Sequence, residues 1–305
     1  MTAEFFIIPE SFKNTQVFSN YEIEEKIKVL AHDFILIKQH KDTNKIYVNS
    51  RIYTVVFIGG ITISDLLFNP AISKKYIDRD VLLALQKIIG ESATTDFSSK
   101  EIIETLLPNH NEEKCYGLIA FNKIEDIKNE YQIVYNINDW YAFRRNFLGL
   151  YPHPQDGEYF IEECKKYFSC LFFHERNKKT VTYLLKDRPK KTVCHLAALN
   201  DKFKGFPRSE LERAEMLKQF SIAAKLDEEA SLEGKASRKE NFTFDFINDN
   251  GLQENVCCEP HLKLCYNDGY PRDTSYSTDR RIYFHEGKTN IQQGKILIGH
   301  MGRHL

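Results

Sequence analysis

Four of the chain's ten histidines, His261, His285, His300 and His304, fall within the stretch HLKLCYNDGYPRDTSYSTDRRIYFHEGKTNIQQGKILIGHMGRHL. The same stretch carries Lys263, Arg280, Arg281, Lys295 and Arg303. Imidazole is the side chain that gains and loses a proton near neutral pH. Guanidinium and ammonium groups neutralise a phosphate as its charge grows in a transition state, commonly the largest single contribution to such catalysis. Together they are the parts needed to cleave a phosphodiester without a metal ion. Lys263 and Arg281 would hold the phosphate, a histidine or Tyr283 would take the proton of an attacking 2′-hydroxyl, and a second histidine would protonate the leaving oxygen. Each such proton transfer is typically worth about 10²–10⁴-fold in rate.

The elements that must position these groups are strands. Side chains alternate between the two faces of a strand. In HLKLCY, His261, Lys263 and Cys265 point one way, and Leu262, Leu264 and Tyr266 the other. In RIYFH, Arg281, Tyr283 and His285 oppose Ile282 and Phe284. With the apolar sets directed to the core and the two strands paired as neighbours, His261, Lys263, Arg281, Tyr283 and His285 share a solvated face. Such faces also carry Lys, Arg and His for solubility alone, but they ordinarily include Glu, Asp, Ser and Thr as well. Glu259 falls on the same face as His261 and Lys263, where a carboxylate would orient a histidine or act as base. KILIGHMGRHL adds His300, Arg303 and His304, with Gly299 and Gly302 giving the backbone freedom to turn or a ligand room to approach.

The elements upstream read as follows. FFIIP, FILIKQ, KIYVN and YTVVFIGGITI are short β-rich runs, and the glycines of FIGGITI lack the later glycine and lysine of a phosphate loop. DRDVLLALQKII and SSKEIIETLL read as helices, the second with capping-box spacing from Ser98 to Glu101. YGLIAF and YQIVYNI follow as strands, DWYAFRRNFLGLYP as a helix capped by Asp139, and DGEYFIEECKKYFSCLFFHE as an amphipathic helix burying Phe160, Cys164, Tyr167, Phe168 and Leu171. Arg144 and Arg145 interleave with aromatics as in single-strand binders, a pattern an amphipathic helix also gives. His153 lies between prolines in a loop. The longest helix is expected from a capping box at Ser209 and Glu212 to about Leu232, followed by four period-two segments, FTFDFI, NVCCEPHLKLCY, RRIYFH and KILIGHM. The expected class is α+β: a mixed sheet and helix region over 1–195, then over 196–305 a long helix and a four-stranded antiparallel sheet with a basic, histidine-rich face.

Composition narrows the classes. With 28% charged residues and a net charge of −1, no whole-protein field draws in nucleic acid or acidic lipid, so any attraction is local. The seven cysteines form no CxxC pair and read as reduced thiols; adjacent Cys257 and Cys258 face opposite sides of a strand, against chelation by both. No apolar run approaches the roughly 20 residues of a membrane helix and no signal peptide is evident, so the expected location is the cytoplasm, with no membrane contact.

The strand pair RRIYFH and KILIGHMGRHL resembles the ending of RelE/HigB-type bacterial ribonuclease toxins, in which an RIxF-like strand precedes an IxxIGxH-like one. The likeness spans about residues 261–305. It implies a small antiparallel sheet with helices on one face and an RNA-cleaving basic cleft on the other, placing Arg281 and Tyr283 in the cleft and His300 or His304 as a terminal catalytic group. It also suggests a setting in bacterial phage defence or a toxin system, with a possible protein partner from the same operon.

The favoured expectation is thus a metal-independent endoribonuclease needing no cofactor and acting on RNA. Its catalytic groups would be His261, Lys263, Arg281, Tyr283, His285 and His300, with Glu259, Arg303 and His304 binding substrate. One alternative is a non-enzymatic nucleic-acid or protein-binding component. Another is a metal-dependent nuclease, because Glu286 and Lys288 have the acidic-x-Lys spacing of PD-(D/E)XK enzymes, with Asp268 or Asp279 as the further acid.

Overall fold

The computed structural model describes residues 2–13, 15–110, 114–124, 127, 130–150, 156–186, 189–203, 212–233, 236–264 and 280–305. His153, Ser209, Cys265, Asp268, Asp279 and the rest of 265–279 lie outside the described residues. The chain forms two compact units, Met1–Arg144 and Arg145–Leu305, so residues 196–305 share a unit with 145–195. No described helix is long and apolar enough to cross a membrane.

The first unit contains β1 (Thr2–Ile7), β2 (Thr43–Asn49), β3 (Val56–Ile58), β4 (Ile61–Thr62), β5 (Ala93–Thr95), β6 (Lys114–Ile119) and β7 (Ile133–Val134). Five of these make an all-parallel sheet in the order β5-β2-β1-β6-β7. β1 is central and buried along nearly its whole length, which is why its second half, FFI, reads as an unbroken apolar run and not an alternating one. FILIKQ is not a strand: it ends the helix Asn20–Gln39, whose buried Ile23, Ile27, Leu30, Phe34 and Ile37 recur at helical spacing behind a Ser19–Glu22 capping box. Its β-branched residues satisfy the helix because their packing outweighs propensity. FIGGITI folds as the β3–β4 hairpin, with Gly59 and Gly60 supplying the positive φ angles (52° and 83°) of its two-residue turn.

The second unit contains β8 (Leu171–Phe173), β9 (Thr243–Ile247), β10 (Gln253–Cys257), β11 (His261–Lys263), β12 (Arg280–His285) and β13 (Ile296–Arg303). The α+β class holds, and a four-stranded sheet is present in the order β11-β12-β13-β8. It is mixed, not purely antiparallel: β11, β12 and β13 are antiparallel neighbours, while β8 joins β13 in parallel. β8 is the LFF of the segment expected to be all helix. The helix stops at Tyr167, and Leu171 and Phe173 then bury on alternate positions. FTFDFI and the first half of NVCCEPHLKLCY form a separate ribbon, β9–β10, because the second segment breaks into two strands around Pro260. The expected long helix covers only Arg213–Ala223; Lys225 then adopts a left-handed φ of 53° and Leu226 N–H turns back to the Ser221 carbonyl.

Both faces of the four-stranded sheet are covered. On one, the ribbon contributes Phe244 and Phe246, and the turn just before it Phe242, to a core with Tyr283 and Leu297. On the other, Phe284 meets Phe203 edge-on at 5.2 Å. The solvated face expected from alternation is therefore buried: Arg280 through Phe284 are all buried, with Tyr283 0% and Arg281 6% exposed.

Candidate active site

The strand registers place the basic residues as their alternation requires. Across β11 and β12, His261 is opposite Tyr283 and Lys263 opposite Arg281; across β12 and β13, Tyr283 is opposite His300 and Arg281 opposite Gly302. Directly opposed residues of an antiparallel pair share a face. One face thus carries the row His261–Tyr283–His300, with ring centroids 5.3 Å and 6.1 Å from the central tyrosine, and beside it Lys263 and Arg281. Gly299 is the extra residue of a bulge in β13 and has no room for a side chain: a Cβ there would strike the Phe244 ring and lie 2.9 Å from Cys258 Sγ. Its absent side chain makes way for the aromatic cover, not for a ligand.

The residues after β13 turn back over the row. The His304 ring centre lies 6.4 Å from that of Tyr283. Between them sits Glu233, a residue that no sequence pattern marks. Its Oε1 accepts the Tyr283 hydroxyl at 3.0 Å, lies 3.1 Å from His304 Nε2 and 3.5 Å from His261 Nδ1. A single antiparallel bridge brings it there: His261 and Ser231 exchange both backbone hydrogen bonds, and Ser231 Oγ lies 3.2 Å from His261 Nε2. A one-residue bridge leaves no periodic pattern to read.

Burial sets the protonation of the row. It pushes His261 below the ordinary imidazole range, reinforced by the nearby Arg281 and Lys263 charges and only partly offset by Glu233. It lowers His300 to about 4, with Arg176 adding to the effect. Tyr283 is raised, again mainly by burial and further by the Glu233 carboxylate. Near neutral pH, His261 and His300 are uncharged and Tyr283 keeps its proton. His300 Nε2 lies 2.9 Å from the Arg303 carbonyl, and its buried Nδ1 has no hydrogen-bond partner among the described residues.

Other expected site residues lie elsewhere. Glu259 turns its carboxylate towards Arg213, 3.7 Å away, and offers His261 Nδ1 only its backbone carbonyl at 3.4 Å. The orienting role expected of Glu259 thus falls to Glu233. His285 lines a separate hollow of about 580 Å³ with Arg213, Cys257 and Glu286, where its Nδ1 accepts the Gly287 N–H at 3.0 Å. Arg303 is opposite Arg280 on the other face, and both guanidinium groups stack on Tyr183, at 4.6 Å and 4.9 Å.

Glu286 and Lys288 are also spoken for. Arg213 binds Glu286 through two nitrogens, Nη2 to Oε2 at 2.8 Å, and Lys288 pairs with Glu254. Burial works against the Glu286 charge, but these bonds outweigh it and hold the carboxyl below its usual range. Among the described residues no group of three or more His, Cys, Asp or Glu side chains is placed to hold a metal ion.

No protein-family model, curated protein or solved structure matches this chain. Its chemistry is legible only in these side chains. His304 is the reachable member, with 29% of its side chain exposed, and Glu233 fixes Nε2 so that Nδ1 faces away from the carboxylate. An imidazole oriented by a carboxylate is the arrangement of a general base. Lys263 is half-buried on the same face, on the edge strand of the sheet.

Proposed function

We propose that the second unit cleaves RNA phosphodiesters by side-chain acid–base chemistry, with His304 as the proton carrier. The single observation that carries this is the Glu233 carboxylate shared between His304 Nε2 and the Tyr283 hydroxyl, at 3.1 Å and 3.0 Å. His304 takes the proton of the 2′-hydroxyl as O2′ bonds to phosphorus, then returns it to the 5′-oxygen as the P–O5′ bond breaks, leaving a 2′,3′-cyclic phosphate. Lys263 and Arg281, like charges held directly opposite each other, supply the positive field the growing phosphate charge needs. His261 and His300 stay neutral and pack around Tyr283, which they hold in place.

The likeness of the last two strands to RelE/HigB-type endings supports the same reading. It favours a cytoplasmic role in phage defence or a toxin system, with an operon-encoded protein partner. The test is incubation of the full chain with a panel of single-stranded RNAs in EDTA. Fragments ending in cyclic phosphate, lost in His304→Ala, are expected; no cleavage of any RNA by the folded wild-type protein overturns the proposal.

The burial of Arg281, Tyr283 and His261 favours a second reading, in which these residues are a structural network and Lys263 only grips phosphate. RNA binding that depends on Lys263 and has no turnover would establish it.

A further inference from the structure

We propose that the first unit binds a free nucleotide at the carboxyl edge of its parallel sheet. In chain order the five strands lie third, second, first, fourth, fifth across the sheet, so the order reverses between β1 and β6. Open parallel sheets bind ligands outside their strands' carboxyl ends near such a reversal. Here the gap between β1 and β6 is itself filled. Asn122, after β6, donates its backbone N–H to the Ser11 carbonyl at 2.9 Å and its Nδ2 to the Lys13 carbonyl at 3.0 Å, and Phe12 stacks on Phe121 at 5.3 Å. The open space lies to one side, as a hollow of about 630 Å³ over the carboxyl ends of β1, β2 and β5. That volume is of the size small-molecule sites have.

Each of the three strand ends contributes one cation to this hollow: Lys13 after β1, Arg51 after β2 and Lys100 after β5. The Arg51 turn is fixed by Asn49 Oδ1, which accepts the Arg51 N–H at 2.9 Å. The exposed Arg51 guanidinium makes no ion pair among the described residues. Among the described residues Lys13 and Lys100 have only loose acidic neighbours, Glu10 at 3.7 Å and Glu104 at 3.9 Å, and exposed pairs of this kind are worth little and yield readily to a phosphate. Pro9, Val55 and Val56 give the hollow an apolar part, and Glu10, Thr54, Ser98 and Ser99 a polar one.

The class of ligand follows from this combination. A lone phosphate would leave most of the hollow empty and its apolar lining unused. A nucleotide puts its base on Pro9 and the valines and its phosphates between the cations. Glu10, held by the Ser99 hydroxyl, stands within the same hollow as an acceptor for a sugar hydroxyl. Its charge opposes the continuous polyanion of a nucleic-acid strand. No residue of this site belongs to the RNA-cleaving face, so the two proposals stand independently.

Calorimetric titration of the full chain with ATP, GTP, CTP and UTP tests the proposal, with inorganic phosphate and a single-stranded RNA oligonucleotide as the other probes. At least one nucleotide is expected to bind saturably and more tightly than phosphate. Arg51→Glu should weaken it about tenfold or more, and the double variant Lys13→Ala/Lys100→Ala should weaken it likewise. Circular dichroism confirms that both variants fold, and the exposed positions make either an independent test. Absence of binding by all four nucleotides, binding of phosphate as tight as that of any nucleotide, nucleotide binding unchanged in both variants, or binding of the oligonucleotide alone overturns it.

Discussion

The Tyr283 hydroxyl donates to Glu233 Oε1 at 3.0 Å across a separation of 50 residues. Tyr283 has no exposure at all, and Phe242 stacks on its ring at 5.4 Å, so this hydrogen bond anchors the segment before the β9–β10 ribbon to the centre of the sheet. Tyr283→Phe removes the donor and leaves a largely buried carboxylate short of one partner. A loss of about 1–3 kcal/mol is expected in chemical denaturation. Unchanged stability would mean that the bond does not hold this segment.

His304→Ala separates chemistry from structure. The side chain is partly exposed and ends the chain's return over the row, so its loss should change stability by less than about 1 kcal/mol. RNA cleavage should fall about 10²–10⁴-fold, with partial recovery in added imidazole. Equal turnover by variant and wild type would remove His304 from the mechanism.

Stability should depend on pH in a definite direction. His300 and His195 are both lowered by burial to about 4, and His261 is lowered as well. In the unfolded chain these rings titrate near 6.5, so between about 6.5 and 4 the unfolded state binds more protons than the native state. The stabilisation is therefore complete above about pH 6.5 and is lost as pH falls towards about 4, at up to about 1.4 kcal/mol per pH unit for each ring. Denaturation midpoints from pH 7.5 to 5 check this. A flat profile would show that the buried rings are not kept neutral.

Glu286→Ala tests the metal-dependent alternative. The substitution removes both hydrogen bonds from Arg213 and leaves it the more distant Glu259, and about 1–3 kcal/mol of stability should go with it. Cleavage per folded molecule should survive, in EDTA as in its absence. Activity abolished both by EDTA and by this variant would instead place a metal at Glu286.

Gly299→Ala should cost about 1–3 kcal/mol, because the added methyl collides with the Phe244 ring and Cys258 Sγ between sheet and ribbon. Thermal unfolding measures it. A neutral result would mean that the ribbon packs less closely than the structure has it.

Local periodicity was enough to place His261 with Lys263 and Arg281 with Tyr283, since alternation is a property of extended backbone and needs no knowledge of the rest of the chain. The capping boxes at Ser98 and the helix Arg79–Gly90 were readable for the same reason. FILIKQ and LFF were misassigned because short apolar runs fit either period, and the neighbours that decide between them are distant: β8 pairs with β13, more than a hundred residues away.

The sequence by itself determined the α+β class, the strands that carry the basic and imidazole groups, and that His261, Lys263, Arg281 and Tyr283 share a face, but not the places of His285 and Glu259. Only the tertiary structure decided that this face is covered by the β9–β10 ribbon, that Glu233 stands in for Glu259, and that His304 is the histidine beside Tyr283 that solvent reaches. Side-chain direction follows from the dihedrals of a few consecutive residues. Burial and contact depend on which remote segment packs against them, and that is settled by the collapse of the whole unit.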